Sequence, residues 1–280
     1  MTEELTITIH NGISNITIGG GNCDYKLTAY SGFAAADFDV KLSAGGAADG
    51  GYISTARLAS RTLGIKFDFG GKNAESVRQS LISFFAPDRQ LTVTAQRGSI
   101  VRTIEGRAAD FDISERNRHA RSTVDLSILC PDPFFKATNT VSYSGTVVTS
   151  KLHLPFHLPC VVGVERSTGE LEIVNSGDTY ADMSAILAVN AAVTNPYVLN
   201  RTTGKKIKMI GTLGKGSVLH ISTIRRAKGA WVGGTRCLID PTSQFSDFLE
   251  VGLNQLECGA NEGTDKLAAS VEYTALFLGV

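Results

Sequence analysis

Apolar and polar side chains alternate in short segments along nearly the whole of this sequence. FDVKL places Phe38, Val40 and Leu42 on one face. LGIKFDF does the same with Leu63, Ile65, Phe67 and Phe69, and turns Gly64, Lys66 and Asp68 the other way. LTVTA follows at 91–95, and VDLSILC aligns Val124, Leu126, Ile128 and Cys130. A period of two is the signature of a half-buried strand, because successive Cβ atoms point to opposite faces of a sheet. The chain is therefore mainly β. One helix interrupts the pattern in the first half, NAESVRQSLISFFAPD. Asn73 is placed to cap it, Glu75 suits its positive end, and Pro87 stops it. Val77, Leu81, Phe84 and Phe85 form its apolar stripe, which reads as core.

Composition narrows the function. The 280 residues suffice for about two domains on the usual prior of ~150 residues each. Lys+Arg and Asp+Glu are equal in number, and the balance holds in each half. No half is basic enough to be drawn to nucleic acid by charge alone. The opening MTEELTITIH is acidic and alternating, with neither the basic nor the apolar region of a secretion signal, and no apolar run approaches ~18 residues. Five cysteines at irregular spacings, with no CxxC pair, lead us to expect a reduced, intracellular fold.

The stretch LSILCPDPFF, residues 126–135, marks a corner. Cys130 continues the inward series of its strand, so its thiol reads as a small buried hydrophobe. A proline cannot donate to a ladder, and CPDP ends the strand. We place a domain boundary near 131–140, with domains at 1–135 and 136–280. Beyond it, KATNTVSYSGTVVTSK reads as an exposed connection followed by edge strands. Short strands then recur: CVVGV, ELEIV, SAILAV, YVLN, KKIKMI, SVLHIS and KLAASVEYTALFL. Turn signals separate them at ~8–12-residue intervals, as in an antiparallel sandwich.

Several stretches imitate active sites. HLPFHLPC offers His153, His157 and Cys160, but its prolines argue against a helix, and in a strand Cys160 faces away from the two histidines. A zinc site wants three or four convergent ligands. GTLGKGS, 211–217, lacks the spacing of a phosphate loop and reads as a hairpin turn. The Gly-rich stretches at 19–22 and 45–51 read as loops. No G-x-S-x-G occurs, and no pair of carboxylates stands out. His119 and His220 are lone histidines. Lys205, Lys206 and Lys208, and Arg225, Arg226 and Lys228 beside Trp231, read as solvated faces that could also meet an anion, a glycan or a protein. No catalytic, metal or cofactor site is assigned, and the chain does not read as an enzyme.

The order of these segments resembles the distal tail protein (Dit) family of siphophages. The helix AESVRQSLISFFAPD, the pair LTVTAQRGSIVRTIEGRAADFD and a closing C-x-D-P-aromatic segment follow the family's N-terminal half, with Cys130, Asp132, Pro133 and Phe134 carrying the close. In the second half, Asn175, Gly177, Asp178, Asn195, Pro196, Asn200, Thr203 and Gly204 match its N-x-G and N-P…N-x-x-T-G progression. FLEVGLNQLEC, with Gly252 and Asn254, resembles its closing L-x-P-G-x-N-x-I. The opening TITIHNGISNITIGGGN departs from the pattern, as do Val251, where Pro is common, and HIS at 220–222.

The resemblance implies a β-sandwich-like ring domain followed by a galectin-like antiparallel β-sandwich. It implies a homo-oligomer, six copies in a ring at the tail tip, with a channel for DNA. The tail tube protein, the tape measure and the tip or baseplate hub proteins are the partners it implies, in a virion assembled in the host cytoplasm. It implies no cofactor, no membrane span and no sequence-specific nucleic-acid contact. Ring contacts of this kind are head-to-tail and closed. The loop 43–51 and the following YISTARLASR are the candidate arm to the next copy, with Tyr52, Arg57 and Arg61 as its contact residues. The alternative is a lectin-like module whose second domain binds host-surface glycan. A third reading, a wall hydrolase, needs a carboxylate pair or metal cluster.

Overall fold

The structure, a computed structural model, describes residues 4–21, 24–44, 49–70, 74–114, 121–146 and 170–280. They divide into two compact units. The first is Met1–Thr138 together with Phe277–Val280, and the second is Asn139–Leu276. The expected domain of 136–280 thus loses its last four residues, which return to the first unit.

The first unit carries β1 (Leu5–His10), β2 (Asn15–Ile18), β3 (Lys26–Ser31), β4 (Phe38–Ala44), β5 (Gly51–Leu58), β6 (Arg61–Phe69), α1 (Ala74–Phe84), β7 (Leu91–Arg97), β8 (Ile100–Ser114), β9 (Ser122–Cys130) and β10 (Phe135–Ala137). The main sheet runs β2-β1-β7-β8-β9-β6-β3. A single bridge between Ile18 and Tyr25 brings its two ends together. β8 holds the sheet together along its 15 residues. Its first half pairs with β7 and its second with β9, with a bulge between Ala108 and Asp110. Bulges bend a strand and increase its twist, which lets one strand serve both halves of a curving sheet.

The inward positions are those the alternation names. Leu63, Ile65, Phe67 and Phe69 of β6 and Val124, Leu126, Ile128 and Cys130 of β9 are all buried; Leu63, Ile65 and Phe67 stand opposite Ile128, Leu126 and Val124, and Cys130 stands opposite Arg61. α1 lays Leu81 and Phe84 on this core, Phe85 follows, and Val77 packs at its edge. The expected cap, Asn73, lies outside the described residues. Gly106 of β8 sits where strands cross closely. A Cβ there would come within 2.7 Å of Ile128 Cγ2 and 2.8 Å of Cys130 Sγ.

The second unit carries β11 (Val141–Thr146), β12 (Glu170–Asn175), β13 (Met183–Val189), β14 (Val193–Asn200), β15 (Lys206–Lys208), β16 (Thr212–Leu213), β17 (Val218–Ser222), β18 (Gly229–Val232), β19 (Thr235–Arg236), β20 (Gly252–Glu262) and β21 (Leu267–Tyr273). They form two antiparallel sheets, β11-β21-β13-β17-β18-β19 and β12-β20-β14-β15, with β16 beside β14. Alternate residues of both are buried, as a sandwich requires: Met183, Ala185 and Leu187 in one, Leu171 and Ile173 in the other. Two expectations change. KLAASVEYTALFL is not one strand, because β21 ends at Tyr273 and a separate β22 (Leu276–Phe277) carries the chain back to pair with β10. The stretch 211–217 is no hairpin. β16 pairs with β14 and β17 with β13, so the stretch carries the chain from one sheet to the other.

Candidate assembly interface

β4 and β5 form a two-stranded ribbon of their own, outside the main sheet of the first unit. Phe38, Val40 and Leu42 do share a face, as their spacing predicts, but the face is uncovered. Phe38 is 70% exposed and Leu42 73%, and Ile53, opposite Leu42, is 63% exposed. Ala56 and Leu58 complete this face. The other face holds Asp39 opposite Arg57, Lys41 opposite Thr55, and Ser43 opposite Tyr52. Alternation reports two unlike faces; it does not report that something covers the apolar one. A lone two-stranded ribbon is marginal in water, and a row of exposed large apolar side chains marks a contact surface.

The three residues expected to make ring contacts separate. Tyr52 is exposed near the tip of the ribbon. Arg57 is exposed and donates from Nε to Asp39 Oδ2 at 2.8 Å. That bond holds the Asp39 carboxyl below the usual carboxylate range. Arg61 is only 2% exposed, so it is not a surface contact. Its donors are taken by the protein's own backbone. Nη1 donates to the carbonyls of Gly32 (2.5 Å) and Ala34 (2.6 Å), Nε to Pro133 (2.8 Å) and Nη2 to Leu278 (2.5 Å). Its guanidinium carbon lies 4.8 Å from the centre of the Phe135 ring. Burial lowers its pKa.

The corner at 130–134 supports this arrangement. Cys130 is fully buried, and burial pushes its thiol up to about 12 despite the nearby Arg61 charge. A thiol so held is protonated and unreactive. Asp132 Oδ1 accepts from the Phe134 amide at 3.4 Å, shaping the turn that presents the Pro133 carbonyl to Arg61. Phe134 itself is buried.

The motif residues of the second unit are turn and network residues. Asn195 has a positive φ of 51°, and its Oδ1 accepts from Gly211 N at 2.8 Å. The Pro196 carbonyl accepts from Met209 N, so this proline stays in the ladder through its oxygen. Asn200 and Asn254, 54 positions apart, meet in the interior. Asn200 Nδ2 donates to Asn254 Oδ1 (2.9 Å) and to the Phe248 carbonyl (2.7 Å). Asn200 Oδ1 accepts from Thr202 N and Thr203 N. Asn254 holds its own turn, accepting from Glu250 N and donating to the carbonyls of Glu250 and Gly252. Gly204 and Gly252 have φ of 71° and 91°, the region glycine alone enters freely.

Several cations of the basic stretches are internally engaged, and Lys228 donates to Ser246 Oγ at 2.8 Å. Lys205 donates to the carbonyls of Ser246 and Asp247, and Lys206 lies 3.7 Å from the centre of the Tyr197 ring. Tyr197 donates to Glu257, which also receives Arg201, and Arg201 reaches Glu170. Trp231 is half-buried, in register with His220 and Arg236. Among the described residues no three His, Cys, Asp or Glu side chains gather as a metal site, and no helix is long and apolar enough to cross a membrane. His119, His153, His157 and Cys160 lie outside the described residues.

No protein-family model matches the sequence, and no curated protein matches it. Solved structures do. The Dit protein of phage SPP1, described as a paradigm of the hub adsorption apparatus in phages infecting Gram-positive bacteria, superposes with a TM-score of 0.64. It is 14% identical, and the match covers 98% of this chain and 99% of that one. A chain of the phage p2 baseplate, in its activated conformation with strontium, matches at a TM-score of 0.52 and 13% identity, over 96% of this chain and 97% of that one. At these identities the likeness is one of fold, and it runs from end to end.

Proposed function

We propose that this chain is a structural component of a phage tail tip, a distal tail protein that assembles with copies of itself into a ring. The carrying observation is the uncovered apolar face of the β4–β5 ribbon, in a chain that shares its fold throughout with a phage hub protein. Phe38, Val40, Leu42 and Ile53 would be covered by the next copy, and Tyr52 and Arg57 would meet it from the tip and the polar face. A contact between unlike surfaces of identical copies closes into a ring when the rotation allows. Six copies, a central channel for DNA, and contacts to tube, tape measure and baseplate proteins follow from the distal-tail reading. The two units would divide the work, Met1–Thr138 with Phe277–Val280 forming the ring.

Negative-stain electron microscopy of the purified chain, with light-scattering mass, tests this. The expected result is a ring with a central hole and a mass about six times 29.8 kDa. A monomer at high concentration, with no ring on adding the tail tube protein, would overturn it.

A further inference from the structure

The four carbonyls that Arg61 holds belong to three separate pieces of chain. Gly32 and Ala34 lead into the ribbon. Pro133 is in the last turn before the chain leaves for the second unit, and Leu278 is among the residues that return from it. Arg61 itself comes three residues after the ribbon ends. The ribbon's base is closed separately, by Ala59 N donating to the Asp37 carbonyl at 2.9 Å.

The returning residues are seated by other bonds as well. Val280 N donates to the Phe33 carbonyl (2.9 Å), Arg97 Nη1 to the Val280 carbonyl (3.2 Å), and Arg102 Nη1 to the Gly279 carbonyl. The Arg102 guanidinium lies 3.6 Å from the centre of the Phe277 ring. Phe33 stacks on Phe135, beneath Arg61.

A buried guanidinium carries a desolvation penalty that an apolar side chain of similar volume avoids. Arginine's planar fork of five donors can hold several acceptors in fixed relative positions, which lysine cannot. We propose that Arg61 is the positioning residue of the ribbon. It joins the ribbon's root to the returning segment 277–280, so that seating the segment and fixing the root are reciprocally coupled. The use of this coupling in assembly rests on the ring reading; the coupling itself is a property of the single chain.

The test is amide hydrogen exchange on the full chain, followed at the root (31–37 and 59), at 277–280, and in β7 as a reference. Arg61→Lys is expected to speed exchange at least tenfold at both Ala59 and Val280, with β7 unchanged. Arg102→Ala approaches from the other side. It removes the bond to the Gly279 carbonyl and the guanidinium over the Phe277 ring, loosening the returning segment from β8 without touching the root. It is expected to speed exchange at Ala59 as well, and it carries the test if Arg61→Lys does not fold. A displaced segment with Ala59 protected as in the wild type would overturn the proposal. So would Arg61→Lys loosening one site and not the other. If the wild type forms no ring, these rates still decide the coupling. If it does, Arg61→Lys should lose rings together with root protection, whereas Leu42→Asp should lose rings with protection intact.

Discussion

Replacing Asn200 by Asp changes one amide nitrogen to oxygen, and the structure fixes what that does. The nitrogen donates to two acceptors, the Phe248 carbonyl at 2.7 Å and Asn254 Oδ1 at 2.9 Å, in a site with no exposure. In the Asp variant three oxygens face one another. A buried acceptor stripped of its donor costs about 1–3 kcal/mol. Asn254 Oδ1 keeps its bond from Glu250 N, so its share is at the low end. The sum is about 3 kcal/mol, more than a hundredfold in the folding equilibrium. Trp231, the single tryptophan, lies in the second unit and reports its unfolding by fluorescence. With a urea dependence of about 1–3 kcal/mol/M, the midpoint should fall by about 1–3 M. The pH dependence carries a sign. The buried carboxyl, facing acceptors, has a folded pKa above its unfolded value of about 3.9. The deficit is therefore full at neutral pH, shrinks as pH falls through the raised folded value, and is smallest below the unfolded one. A midpoint within ~0.3 M of wild type, where the slope above predicts far more, or a deficit that grows in acid, would refute the network as the reason Asn200 is buried.

Three further outcomes are expected. Gly106→Ala forces a Cβ against Ile128 and Cys130 and should lower stability by about 1–3 kcal/mol, read as a lower melting temperature with the fold retained. Peptide-resolved alkylation at pH 8 should modify Cys237 well before Cys130 or Cys258, whose thiols burial pushes up to about 12; labelling of all three at one rate in the native protein would contradict their burial. Leu42→Asp with Phe38→Asp should abolish rings without lowering the melting temperature, since neither side chain is packed in the free chain.

What the sequence told, it told through period and turn chemistry. Leu63–Phe69 and Val124–Cys130 were legible because a period of two survives any tertiary arrangement that buries one face. The helix was legible from Glu75 to Pro87 for the same kind of reason. Asn200 and Asn254 were separately visible as turn residues, and nothing local says that they bond to each other. The ribbon shows the limit from the other direction. Phe38, Val40 and Leu42 carry the same signal as Leu63, Ile65 and Phe67, yet one set is core and the other stands in solvent. Arg61 escaped for a third reason. An arginine after a strand of mixed polarity reads as surface, and only the convergence of residues 32, 34, 133 and 278 makes it interior.

The return of Phe277–Val280 to the first unit orders events in time. A chain is made from its amino end, at roughly 5–20 residues per second. β1 to β10 have all left the ribosome before the second unit begins to emerge, and only β22 of the main sheet is still to come. Arg61 nevertheless meets its fourth carbonyl only when Leu278 has been made, and the second unit has all of its residues before the first does. A nascent chain interrupted anywhere within the second unit therefore displays a ribbon whose root lacks both the Arg61–Leu278 and the Val280–Phe33 bonds.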